Sequence, residues 1–310
     1  MRGQQGGALT GRELLAALGV VVIWGFNFVG MKWSLREFTP FQLGALRYAF
    51  AALPMALFIR PPSIRWTWVT AAGATQFAQF ALLFLALRMG MTASLASVLM
   101  QTQLFFTVLL GVLLLGERLN GPLRFALALA AVGLCCFAMH MASGPVESGF
   151  TLLSLALNLL AAAMWGASNI VARRAQAAQP AYDALQFIVW MSLVPIVPFL
   201  VLSWIFDPVE ARSSWLHASA AAWLGAAYLG WFATVIAYSL WTWLLKRHPA
   251  NRVAPFSLGV PVIGLVAGML VLGESVSPWQ WAGSLCVFAA LGVVMLGGRI
   301  SSLFRNAAPP

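Results

Sequence analysis

Trp24-Gly25-Phe26-Asn27, inside the first long apolar run of the chain, returns as Trp165-Gly166-Ala167-Ser168-Asn169 at the opening of the second half. A second motif repeats near the end of each half: Leu115-Gly116-Glu117 closes one membrane-length segment and Leu272-Gly273-Glu274 closes another. The chain therefore reads as two copies, residues 1–145 and 146–310. If each copy holds five spans, an odd number, the second enters the membrane from the opposite side. Inverted repeats place a binding site near the bilayer midplane, between two halves that rock against each other.

Composition points the same way. At 61% hydrophobic and 8% charged residues, the chain is unlike an ordinary soluble domain, about a quarter of whose residues are charged. Apolar runs cover 12–31, 41–59, 66–87, 92–115, 122–142, 149–171, 184–205, 219–244, 250–272 and 279–297. Each is near the ~20 residues that cross a ~30 Å hydrocarbon core as a helix. The expected fold is an all-α polytopic membrane protein, with ten transmembrane helices in two inverted five-helix repeats around a central cavity. The stretch after His217 is long enough to tilt or to begin at the interface. No cleavable signal peptide is expected, because the first run is long and lacks a clear small-residue cleavage site.

A net charge of +10 would suit nucleic acid, but its placement argues against such a partner. Lys32, Arg36, Arg88 and Arg212 fall in loops on one side, Arg47 lies within a span, and the remaining thirteen basic residues fall on the other side. The positive-inside rule then puts both termini in the cytoplasm. Equivalent loops also exchange charge. Arg118 and Arg124 follow the first Gly-Glu, whereas Ser275-Val276-Ser277-Pro278 follows the second; Arg88 stands alone before the fourth span, whereas Lys246, Arg247 and Arg252 cluster before the ninth. Duplicated halves facing opposite sides produce this swap. Cys135, Cys136 and Cys286 fall inside spans without metal-site spacing, so they read as small packing residues and no metal or cofactor is expected.

Polar side chains within spans face other helices or a wet cavity, since lipid leaves their donors and acceptors unpaired. Trp24 and Asn27 share one helix face, as do Trp165 and Asn169. They read either as cavity walls or as hydrogen-bonded packing between repeats. Gln76 and Gln79 are three apart in the third span; Ser94, Ser97 and Gln101 form a stripe in the fourth. Gln101 is the expected cavity residue, because Gln103 points roughly the other way on a regular α-helix. Arg47, about eight residues into its span, has its backbone ~12 Å below the surface. It reads either as snorkelling or tied to a carbonyl, or as attraction for a substrate carboxylate. Trp190, Tyr238 and Trp231 lie deep enough to line an amphipathic pocket, whereas aromatics at span ends form interfacial belts. Pro255, Pro261, Gly264 and Gly268 make the ninth span a kinked, closely packed helix.

In this order and spacing, Val21-Val22-Ile23-Trp24-Gly25-Phe26-Asn27-Phe28, Leu46-Arg47-Tyr48, Gly90-Met91-Thr92-Ala93, Gly116-Glu117-Arg118 and Gly273-Glu274 resemble the EamA-domain transporters of the drug/metabolite transporter superfamily. Phe77-Ala78-Gln79-Phe80 and Arg252-Val253-Ala254-Pro255 are similar to its cysteine/O-acetylserine exporters, with aromatic amino-acid exporters a related group. The resemblance implies a bacterial inner-membrane exporter of amino acids and related small metabolites, moving cargo from cytoplasm to periplasm. The expected substrate-binding residues are Trp24, Asn27, Arg47, Gln76, Gln79, Gln101, Trp165, Asn169, Trp190 and Tyr238. The expected partners are this small-molecule substrate and membrane lipid, with a monomer as the unit.

All eight acidic residues, and His140, His217 and His248, fall at span ends or in loops. A proton-driven pump commonly holds such a group inside the membrane, so facilitated diffusion is the expected mode and a proton-coupled multidrug or metabolite exporter the alternative. No phosphate-binding loop, HExxH or GxSxG occurs, which excludes the usual ATP-hydrolysing and intramembrane-enzyme signatures. A selective channel would differ in carrying flux without alternating access.

Overall fold

The computed structural model describes residues 10–116, 121–143, 151–248 and 253–306. Glu117, Arg118 and Asn120 of the first Gly-Glu turn, together with Arg2, Glu147 and Arg252, lie outside the described residues. Helix lies on every one of the ten apolar runs, and no strand occurs among the described residues. Six helical stretches are long and apolar enough to cross a membrane: Gly11–Ser34, Trp66–Arg88, Ala93–Leu115, Leu152–Ala178, Ala184–Phe206 and Ala220–Leu244. Leu123–Phe137 and Phe256–Leu272 are shorter apolar helices.

Helix α1 (Gly11–Ser34) starts at Thr10, whose side chain accepts from Glu13 N while Glu13 answers the Thr10 backbone. Helix α2 (Pro40–Ala56) starts with the same box between Thr39 and Gln42, and Pro40 needs no N–H in the first turn. Helix α3 (Trp66–Arg88) is followed by Gly90 at φ 106°, a left-handed turn that favours glycine. Thr92 then caps α4 (Ala93–Leu99), which runs through a 3-10 turn at Met100–Thr102 into α5 (Gln103–Leu115); α6 spans Gly121–Ser143.

The second half opens with α7 (Leu152–Ala178). Helices α8 (Ala184–Met191) and α9 (Ile196–Phe206) share one apolar run, interrupted before Pro195, which has no N–H to continue the ladder. A 3-10 segment, Val209–His217, leads to α10 (Ala220–Ala227), a π-helical stretch at Tyr228–Ile236 and α11 (Ala237–Arg247). The 3-10 turn Ala254–Leu258, α12 (Gly259–Leu272) and α13 (Pro278–Asn306) are the last of the described elements.

Glycines let the two halves interlock through equivalent contacts. A Cβ at Gly25 of α1 would run into Ile263 and the Gly264 backbone of α12; one at Gly166 of α7 would sit 3.0 Å from Phe106 Cβ and Thr107 N of α5. The repeated Trp-Gly thus marks where the first helix of each half crosses a late helix of the other. Gly264 and Gly268 pack on Ser97 and Ser94, whose hydroxyls donate to Pro261 O at 3.3 Å and Leu265 O at 3.1 Å. Gly133 of α6 and Gly283 of α13 each lie against the other's carbonyl. Cys136 and Cys286 meet at this crossing, but Cys135 is exposed, so the packing role expected of it does not hold. As its neighbour in sequence it lies about 100° round the helix, away from α13.

Helix directions follow from contacts at the two ends. At the near end, where α1 begins, Glu13 pairs with His248 after α11 at 3.0 Å, and Gln179 after α7 donates to Ser63 O at 2.6 Å. Helix α7 therefore stops where α1 starts, and the first helices of the two halves run in opposite directions. At the far end Thr39 Oγ1 donates to Asp207 Oδ2 at 2.6 Å, Ser219 donates to Glu37, and Ala93 and Ser94 donate to Glu274.

Candidate functional site

Between the interlocked halves lies a cavity of about 470 Å³, within the range of small-molecule sites. Its wall takes Trp24, Asn27, Phe28 and Met31 from α1, Arg47 from α2, and Gln79, Phe80 and Leu83 from α3. Met100, Gln101, Gln103 and Leu104 follow from the α4–α5 junction, Trp165, Asn169 and Ala172 from α7, Tyr238 and Trp241 from α11, and Ser257 and Val260 from the start of α12.

Arg47 is 2% exposed. Its Nη1 donates to Asn27 Oδ1 at 3.0 Å, its guanidinium lies 4.0 Å over the Phe80 ring, and its Nε has no partner. Burying an ion costs several kcal/mol even after relaxation. A desolvated cation–π contact returns about 2 kcal/mol, and a hydrogen bond involving a charged group about 1.5–3 kcal/mol. No carboxylate lines the cavity among the described residues. The wall therefore presents a cation without its counter-ion, and an anion gains by approaching it. The depth of Arg47 together with its tie to Asn27 sets aside the snorkelling reading.

Asn27, Gln79, Gln101, Gln103 and Asn169 add amides to the wall. Gln79 is 2% exposed and its Oε1 has no partner. Asn169 Nδ2 donates to Gln103 Oε1 at 2.7 Å and to Thr107 Oγ1 at 3.0 Å. Pro261 has no N–H to offer Ser257 O four residues back, and Gln101 Nε2 donates to that carbonyl at 3.4 Å. The aromatic wall is built on Trp24, whose ring lies 5.1 Å from Tyr238 and 5.5 Å from Trp241. Its indole donates to Ala233 O at 3.0 Å, within the π-helical stretch. Such stretches are rare and recur at functional sites.

Trp24, Asn27, Arg47, Gln79, Gln101, Trp165, Asn169 and Tyr238 thus stand together on the wall. Gln76 and Trp190 do not. Gln76 is held in a buried relay, accepting from Tyr48 OH at 3.2 Å and donating to Ser168 Oγ at 3.3 Å. Trp190 donates to Ile59 O at 3.0 Å and meets Trp66 edge-on at 5.7 Å, tying α8 to the end of α2 near the molecular surface. Trp231 is 41% exposed on the outside of the bundle and packs on Phe50. Gln103, by contrast, lines the cavity with Gln101. On an α-helix the two lie about 160° apart, but through a 3-10 turn of about 3 residues per revolution they lie about 120° apart. Trp241 and Ser257 also line the wall without having been singled out from the sequence.

A mostly apolar cavity carrying one buried cation and several amides, inside a bundle of long apolar helices and enclosed by two halves with equivalent motifs, defines a multi-pass membrane transporter. The EamA-like transporter family matches the chain twice, at residues 11–139 and 152–296, and the chain belongs to that family. It is a protein of the bacterial inner membrane. A probable amino-acid metabolite efflux pump of Salmonella typhimurium is 36% identical over 293 residues, covering 93% of this chain and 96% of the relative. A protein of Escherichia coli K12 described in the same words is 34% identical with the same coverage. A probable terminal-alkyne amino-acid exporter of Streptantibioticus cattleyicolor is 25% identical, covering 94% and 95% of the two chains. A solved crystal structure 18% identical in sequence shares the fold, with a TM-score of 0.59 over 92% of this chain and 97% of its own.

Proposed function

We propose that the protein exports amino acids and related small metabolites from cytoplasm to periplasm by alternating access and facilitated diffusion. In this reading ten spans form two inverted repeats, residues 1–145 and 146–310, with both termini in the cytoplasm. The observation that carries the reading is Arg47, a buried guanidinium without a carboxylate partner on the wall of the cavity. The α-carboxylate of a zwitterion supplies the missing charge, the Gln79 carbonyl accepts from an ammonium, and the Trp24–Tyr238–Trp241 wall receives an apolar side chain. The relatives described as amino-acid efflux pumps support the same cargo.

The rival is a proton-coupled multidrug exporter. Such a site wants a carboxylate to attract cationic drugs and carry the proton, and the described lining has none. Uptake of a radiolabelled amino-acid panel into proteoliposomes, without any ion gradient, tests the proposal. Saturable uptake of a subset supports it. Uphill accumulation driven by an imposed pH gradient would sink the facilitated mode, and uptake of cationic drugs in place of amino acids would sink the cargo.

A further inference from the structure

Three of the four basic residues expected on the outer side converge on one cleft, although more than fifty positions separate Arg36 from Arg88. This second cavity, about 400 Å³, opens at the far end of the bundle between Lys32, Arg36, Arg88, Glu274 and the apolar Leu35 and Leu87. Two of the cations also brace helix ends. Lys32 Nζ donates to Leu87 O and Met91 O, both at 2.8 Å, at the end of α3, and Arg88 Nη1 donates to Leu35 O at 3.2 Å, at the end of α1. Each helix thus supplies the cation that covers the other's last carbonyls. Arg36 stands exposed at the rim.

The one carboxylate of the cleft does not balance them. Both Glu274 oxygens are occupied by the first N–H groups of α4, from Ala93 at 2.7 Å and Ser94 at 2.8 Å. Three cations therefore face an open space with one carboxylate that is already engaged. Donor capacity remains, because an ammonium has three N–H groups and each guanidinium five.

The cleft also adjoins the central cavity. Met31 lines the cavity and Lys32 the cleft; Leu83 lines the cavity and Leu87, one turn on, the cleft. Along the helix axis the two are one residue, about 1.5 Å, apart on α1 and four residues, about 6 Å, apart on α3. The side chains between are apolar and buried, with Met31 at 0% and Leu83 and Leu87 each at 1% exposure.

We propose that this cleft is an oxyanion-binding site, taking a carboxylate or a phosphate between Arg36, Arg88 and Lys32. Two sources can supply that chemistry: the carboxylate of a solute leaving the cavity, and the phosphate of an anionic lipid. The site stands independently of the cargo, whereas its use as an exit station rests on the amino-acid reading above.

The test uses the full-length protein in phosphatidylcholine nanodiscs, following Tm as sodium acetate or sodium phosphate replaces sodium chloride at constant ionic strength. A parallel set of discs contains phosphatidylglycerol. The variants are Arg36→Gln, whose side chain is exposed at the rim, and Arg47→Gln in the central cavity. A saturable rise in Tm with acetate, its half-point moved about tenfold by Arg36→Gln and unmoved by Arg47→Gln, supports the site and a solute source. A rise with phosphatidylglycerol alone, lost in Arg36→Gln, supports the site with a lipid headgroup in it. No rise with any of the three, or a rise indifferent to Arg36→Gln or abolished by Arg47→Gln, overturns it. Failure of wild-type uptake with the Tm response intact would sink the amino-acid reading and leave the cleft standing.

Discussion

Arg47 and Asn27 meet inside the bundle with Nη1 donating to Oδ1 at 3.0 Å, and that neutral amide stands where a structural ion pair would hold a carboxylate. An aspartate there would neutralise the guanidinium permanently. An asparagine orients it and leaves its charge available. The pairing also joins two motifs of the first repeat, Trp-Gly-Phe-Asn on α1 and Leu-Arg-Tyr on α2.

Asn27→Asp therefore separates stability from transport. The new carboxylate gives Arg47 a charged partner in nearly the same geometry, so Tm rises or holds. Amino-acid uptake falls, on the order of tenfold or more, because the substrate must now displace an internal anion. Thermal unfolding and initial uptake rates on the same preparation check both arms. A variant that transports as wild type would show that the free charge is not what recognises cargo.

Glu274→Gln weakens the junction between the halves. The amide can accept from one of the two N–H groups of Ala93 and Ser94 but turns its own N–H₂ toward the other, and the anionic interaction with the helix N-terminus is lost. The expected cost is about 1–3 kcal/mol, read as a lower Tm. An unchanged Tm would mean that the two contacts at 2.7 and 2.8 Å contribute nothing net.

Glycine substitutions distinguish packing from propensity. Gly25→Ala forces a methyl against Ile263 and Gly264 across the α1–α12 crossing, with an expected loss of about 1–3 kcal/mol. Gly19→Ala on the same helix meets nothing within 4 Å, and should be neutral or stabilising by up to about 1 kcal/mol. Equal effects at the two positions would contradict the close crossing.

Glu37 gives a pH dependence of known sign. Its carboxylate accepts from the Ser219 hydroxyl and backbone N–H, each at 2.6 Å, and these bonds hold its pKa below the usual carboxylate value. A lowered folded pKa means that the stabilisation is present above the unfolded value of about 4.3 and disappears as pH falls through the folded value. The Tm difference between wild type and Glu37→Gln should accordingly be constant near neutrality and shrink under acid. A difference that grows on acidification would reverse the sign.

Much of this arrangement is legible in the linear chain, because membrane helices advertise themselves by length and because duplication repeats its motifs. Trp24 with Asn27, and Trp165 with Asn169, are spaced for one face of a regular helix, and all four line the cavity. Reading fails where the helix is not regular. The 3-10 turn at Met100–Thr102 brings Gln103 round to the cavity, and the π-helical stretch at Tyr228–Ile236 carries the Ala233 carbonyl that receives Trp24. Neither has a proline or other plain local marker. It fails again where a polar side chain has a tertiary partner: Gln76 and Gln79 look alike in sequence, but Tyr48 and Ser168 engage only Gln76. Trp190 misleads because depth along a run says nothing about the side on which Ile59 waits.

The central claim is that Arg47 recognises the carboxylate of the cargo. The most direct measurement is competition in proteoliposomes between an amino acid that the protein carries and its carboxamide, which keeps the side chain and ammonium and lacks the charge. Wild type should favour the acid by about tenfold to a hundredfold, the worth of one charge-assisted contact, and Arg47→Gln should bring the ratio close to one. An equal preference in wild type and variant, with both proteins folded, would contradict the account.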